Sequence, residues 1–344
     1  MTENVKFKGK NFVNITGYLK ENTLDTFTTK DGQPGIKGSL VIATSEIDAH
    51  KVSFYVTKFD KNHQINNSYT DLEALLPLQT NTIGNFIKAN PSATFQMAMG
   101  QATKVFARAK FEEYASKIDG VERSMILLKG FTAKVKTVTD SQQFTSSATF
   151  SVDVYIDQMV EEVEHNKDTE SMESTGRLVL KCFLPQYNGC MDKINFVVPT
   201  DDNRADFIRS NYAVGNTANF TGKIINITQE VESAAPVVDD PFAWGATTKK
   251  QIKTTFTRER IILGRENGKV PLEEGAPGSI TKEMVKNGLV IRDEHIADNT
   301  TNRANRNNNK ARVGMNMSFG NAPQAPVAQP SSQTFAADKF DIDF

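Results

Sequence analysis

Cysteine is almost absent from this chain: Cys182 and Cys190 are the only two in 344 residues. Two readings fit the pair, a staple across one hairpin or two reduced thiols of an intracellular protein, and composition favours the second. Histidine is equally sparse. His50, His63, His165 and His295 lie far apart, without the spacing of a zinc site, so no metal is expected. No run of apolar residues is long enough to cross a bilayer, so no membrane association is expected. Met1-Thr2-Glu3-Asn4-Val5-Lys6 lacks the apolar centre of a secretion signal, which points to the cytoplasm. No Ser/His/Asp or Cys/His set stands out, and Gly264-Arg265-Glu266-Asn267-Gly268 lacks the lysine and hydroxyl of a phosphate-cradling loop. Neither an enzyme nor a cofactor is therefore expected. Excess charge is missing too. The 40 Lys and Arg against 41 Asp and Glu leave a net charge of -1, so any grip on nucleic acid must come from local clusters. Hydrophobic residues make up 38%, a low share that leaves part of the chain outside any core.

What is present is β-pattern. Val13, Ile15 and Leu19 alternate along residues 11–19, and residues 39–44 and 51–57 are β-rich on either side of turn and polar segments. Residues 82–88 read as a short helix and 91–100 as a closing strand. A second block repeats the order. Residues 125–135 are its first strand and 148–156 its second, followed by an acidic loop at Glu161–Glu164. Strands at 176–184 and 193–198, a helix at 205–210 begun by Asp201-Asp202, and a last strand at 219–227 complete it. Strands with one helix before the last is the order of a five-stranded Greek-key barrel, the OB-fold. The expected class is all-β dominated: two tandem OB-folds with a disordered C-terminal tail. The expected domains are 1–118 and 119–232, an irregular extension over 233–300 with one added strand at 256–264 and one short helix at 280–287, and a tail over 301–344. That tail is low-complexity and cannot offset its chain entropy by burial.

A face that holds an unpaired strand needs rings for the bases and cations for the phosphates. Alternation sends Tyr18 and Tyr55 outward in the first block, with Lys20 and Lys51 beside them. Lys37 and Lys58 add cations there, and Phe27 either clamps a base or fills a local loop core. In the second block Phe131, Ala133 and Val135 point inward, leaving Lys134 and Lys136 outside. Tyr155 also points out, and Lys223 adds a cation. Arg177, Lys181 and Phe183, at two- and four-residue steps on one strand, are the most specific constellation. They suit phosphate and base contact; the competing reading is a solvated face with Phe183 covering a domain interface. Half-buried rim positions compete for each tyrosine taken singly.

The tail carries Arg303, Arg306, Lys310 and Arg312 with no acid over 301–320, then reverses sign. Asp338, Phe340, Asp341, Ile342, Asp343 and Phe344 form an acidic tip with a terminal ring, suited to a basic-rimmed apolar pocket on a partner protein. With this tip, and with Ile194–Val198, the helix around Phe207 and Asn219–Ile224, the chain resembles single-stranded DNA-binding proteins of the SSB type, of the kind bacteriophages or mobile elements carry. Lys339 interrupts the acids, and Asp343 stands where that family has proline. The resemblance implies binding of single-stranded DNA, recruitment of replication, recombination and repair proteins by the tip, and, with two barrels per chain, a monomer or low oligomer. The alternative is a structural or protein-interaction module of a phage built on OB-like domains. The strand-binding reading requires Tyr155 and Phe183 to stand open on the surface.

Overall fold

The computed structural model describes residues 9–137, 144–166, 170–233 and 251–315. The first barrel begins with β1 (Asn11–Asn22), β2 (Asp25–Thr28), β3 (Pro34–Ala43) and β4 (Ala49–Thr57). In β4, His50, Val52, Phe54 and Val56 are buried while Lys51 and Tyr55 are exposed, the period-two pattern of a half-buried strand. A helical crossover follows: α1 (Asn67–Glu73), a 3-10 turn at Leu76–Gln79, α2 (Ile83–Ala89) and α3 (Phe95–Gln101). β5 (Lys104–Ile118) and β6 (Val121–Val135) then complete the ring. Its order is β1-β3-β4-β6-β5 and back to β1, antiparallel except for β4 against β6, with β2 added at the edge of β3. A crossover between the third and fourth ring strands is the OB arrangement.

The second barrel repeats it. β7 (Ser147–Asn166), β8 (Ser171–Pro185), β9 (Met191–Val198), α4 (Arg204–Asn211), β10 (Thr217–Ser233) and β11 (Gln251–Gly264) give the order β7-β8-β9-β11-β10 and back to β7. Again one pair is parallel, β9 with β11.

Four sequence expectations change here. Residues 125–135 belong to the last strand of the first barrel, since β6 pairs with β5 along its whole length. A boundary at 118/119 would cut that hairpin. Residues 95–100 of the expected closing strand belong to α3, started by the Thr94 hydroxyl, which accepts from Met97 N at 3.3 Å. Glu161–Glu164 are strand, because β7 and β8 run on beyond the barrel as a two-stranded arm. Finally, the stretch expected to be irregular supplies β11, the second barrel's closing strand, and α5 (Lys282–Met315), far longer than the short helix expected at 280–287. The rest of the tail, with the acidic tip, lies outside the described residues.

The barrels meet through their first strands. β1 pairs antiparallel with β7, setting Val13 opposite Phe150 and Ile15 opposite Ala148 on the same side of the sheet. The interiors consequently merge into one hydrophobic cluster. Phe111 of the first barrel lies 5.8 Å from Phe150 and 6.4 Å from Phe196 of the second, ring centre to ring centre. The turn between β3 and β4 also reaches across: Asn226 N donates to Asp48 Oδ1 at 2.8 Å and Thr228 N to Ile47 O at 3.0 Å. Cys182 and Cys190 are free and buried, which excludes the staple. Burial, with Asp192 beside it, pushes the Cys190 thiol up to about 12. Among the described residues no helix is long and apolar enough to cross a membrane.

Candidate nucleic-acid interface

On the first barrel the sheet of β2, β3 and β4 gathers four of the expected residues. Lys37 on β3 lies directly opposite Tyr55 on β4, and Val41 opposite Lys51. Phe27 on β2 pairs with Gly35 of β3, whose missing side chain leaves room for its ring; a Cβ at Gly35 would collide with that ring. The ring settles against Tyr55 with centroids 4.6 Å apart and planes tilted by 33°. Tyr55 keeps 55% of its surface exposed. Asp25 stands across from Lys37, but its carboxylate accepts from Thr26 N at 2.7 Å. The result is a two-ring platform with Lys37 at its side and Lys51 two pleat repeats, about 13 Å, along β4. A base can stack on the platform while its phosphates meet the lysines.

The other first-barrel residues go elsewhere. Lys58 turns to α1, 5.7 Å from the centre of the Tyr69 ring. Tyr18 is half-buried against α2 and α3, edge-on to Phe144 at 4.9 Å, and Lys20 beside it on β1 is half-buried. Lys134 and Lys136 are exposed, but on β6 and just beyond its end in this barrel and not on the second.

On the second barrel the expected rings are covered where β7 pairs with β8. Tyr155 and Phe183, which the strand-binding reading required in the open, are 6% and 8% exposed, their rings 6.3 Å apart, so that requirement fails and the reading does not hold for this barrel. Ile280 and Val285, at the start of α5, are buried on them with Met191. Ile280 N donates to the Thr217 hydroxyl at 2.6 Å. Gly288 lets the helix approach the β8–β9 turn so closely that a Cβ there would strike Met191. Further on, buried Arg292 donates two 2.7 Å bonds to the Glu113 carboxylate and reaches Glu122 as well. Those carboxylates hold its pKa above the ordinary arginine value against the opposing effect of burial. Arg177 is likewise engaged, its guanidinium 2.7 Å from Glu259 and 3.2 Å from Glu162. Of the expected constellation only Lys181 stays exposed; Lys223 is exposed on β10. The apolar positions 280, 284, 285 and 289 were the available signal for this cover.

Sequence reasoning also missed rings. Phe131, expected inside, is 40% exposed, because a bulge between Arg108 and Ala109 leaves it as the unpaired residue of β6. Gly130 takes the inward position against Phe54. Phe12 sits beside Phe131. On β11, Phe256 is 60% exposed with the Arg258 guanidinium 5.8 Å from its ring centre.

A family model described as YorF matches residues 10–302. No curated protein matches the chain. Among solved structures, a deletion mutant of the single-stranded DNA-binding protein from Thermus aquaticus aligns at 13% identity and a TM-score of 0.40, over 78% of this chain and 98% of that one. The wild-type Thermus aquaticus protein aligns at 12% identity and a TM-score of 0.38, over 78% of this chain and 96% of that one. The OB assignment stands on the strand order of this chain itself.

Proposed function

The chain belongs to the YorF family, and from its first barrel we propose that it binds single-stranded DNA without reading sequence and without chemistry on the strand. The observation that carries this is the Phe27–Tyr55 platform flanked by Lys37 and Lys51 on an open sheet face. Stacking on rings favours unpaired bases of any identity, since every base has a π-face; a duplex hides those faces. The lysines meet phosphates and release counterions, so affinity falls with added salt.

Such a binder would protect exposed strands during replication, recombination and repair in a bacterial cytoplasm, as the protein of a phage or mobile element, acting as a monomer or low oligomer. Its tip, Asp338 to Phe344, would recruit partner proteins through its acids and terminal ring. Trimming Asp338–Phe344 should then leave DNA affinity unchanged or raise it, because a competing anion is gone; fluorescence anisotropy on the truncated chain reads this directly.

The deciding experiment is an anisotropy titration with poly(dT), duplex DNA and poly(rU) at two salt concentrations. Tight, salt-sensitive binding of poly(dT) over duplex supports the proposal. Equal binding of poly(rU) moves the substrate toward RNA. Flat traces with all three leave a protein-interaction module in its place.

A further inference from the structure

We infer that the first barrel carries a second strand-binding face, on the outer side of β1, β5 and β6, where an unpaired segment stacks on Phe12 and Phe131 and lays its phosphates along cations of the same sheet. The inference rests on reading the chain as a single-strand binder. Phe12 and Phe131 are 36% and 40% exposed and meet edge to face at 6.5 Å. The Arg108 guanidinium lies 5.1 Å from the centre of the Phe12 ring. Arginine over a ring steadies both groups and keeps donors for phosphate.

Register assembles the rest. Arg108 is opposite Asn14 of β1 and Thr132 of β6, and Phe106 is opposite Lys134. Lys104 is opposite Tyr18, and Lys136 N donates to Lys104 O at 2.8 Å. Alternation therefore puts Lys104, Arg108, Lys134 and Lys136 on one side with the rings. The carboxylates beside them are engaged: Asp71 accepts from the Thr132 hydroxyl at 2.7 Å, and Glu112 pairs with Lys110 at 2.7 Å. Two exposed rings and four cations match a polyanion with stacking faces, a pattern an apolar protein patch would not need.

Two variants test this separately, Phe12→Ala/Arg108→Ala/Phe131→Ala and Lys134→Glu/Lys136→Glu, both at exposed positions and both checked for a wild-type melting curve. On poly(dT), each should occlude fewer nucleotides per protein. Affinity for a long oligo(dT) should fall about tenfold for the ring variant, and the log–log salt slope should shrink by about 0.7 per lost phosphate contact. A short oligo(dT) filling only the Phe27–Tyr55 face should bind as before. Unchanged site size and slope in both variants overturn the inference and leave the proposed function standing. A change in sedimenting mass with unchanged site size overturns it too, and assigns the face to a second copy. A wild-type chain that ignores poly(dT) ends both readings.

Discussion

The outer β3–β4 face of the first barrel and the outer β7–β8 face of the second both carry rings that alternation sends away from the barrel interior, and they end differently. Tyr55 on the one stands open with Phe27 against it. Phe183 on the other lies sealed with Tyr155 under α5. The first barrel gains a short strand, β2, that brings a ring to its face; the second is met by a helix from nearly a hundred residues downstream. Alternation decides that a side chain points away from its own barrel interior. Whether that position becomes binding surface or a second core depends on what the chain later lays over it.

The contrast can be broken at its strongest point first. Arg292→Ala removes the cation between Glu113 and Glu122 and leaves the Glu113 carboxylate buried without its partner. The expected cost is about 3–5 kcal/mol in chemical denaturation, with the Phe27–Tyr55 face unaltered. A second effect concerns Asp192, which accepts from Glu113 N and Gln186 beside Cys190. Burial foremost, with the Glu113 charge, pushes its carboxyl up to about 6, opposed by those hydrogen bonds. The folded state then binds a proton that the unfolded state releases near the ordinary value. Its contribution to stability falls as pH rises from about 4 to 6, by roughly 2–3 kcal/mol, and is flat above. Asp192→Asn should remove that slope, so the stability gap between variant and wild type should shift in the variant's favour across this window. A parallel pair of pH–stability curves would contradict this.

Smaller effects probe the open face. Tyr55→Ala should weaken poly(dT) binding by about 1–3 kcal/mol with little change in melting temperature. Phe183→Ala should do the reverse, destabilising by about 3 kcal/mol while sparing DNA affinity. Lys37→Ala and Lys51→Ala are expected to be smallest, each reducing the salt slope by about 0.7. Comparable losses of affinity from Tyr55→Ala and Phe183→Ala would erase the distinction between the barrels.

Much of the fold was legible where the pattern is local. The alternation in β4 places Tyr55 and Lys51 outside, and Thr82 and the apolar residues after it give α2. The two-barrel grammar was legible because each barrel needs the same sequence of strands. What failed was non-local. β6 reads as an opening strand because its pairing with β5 depends on register and not on its own residues. Phe95–Gln101 shares residue types with a strand, and its Thr94 cap decides for a helix. Phe131 alternates inward on paper, and a bulge turns it out. Phe183 and Tyr155 were read as outward of their barrel, but the helix that buries them lay in a stretch with too few apolar residues to suggest a core.

The most direct test of the central claim is photo-cross-linking of a halogenated oligo(dU) to the full chain, with the adducts located by mass spectrometry. The account predicts adducts on the peptides carrying Phe27 and Tyr55 and none on those carrying Tyr155 or Phe183. Adducts confined to the β7–β8 side of the second barrel, with Phe27 and Tyr55 untouched, would contradict it.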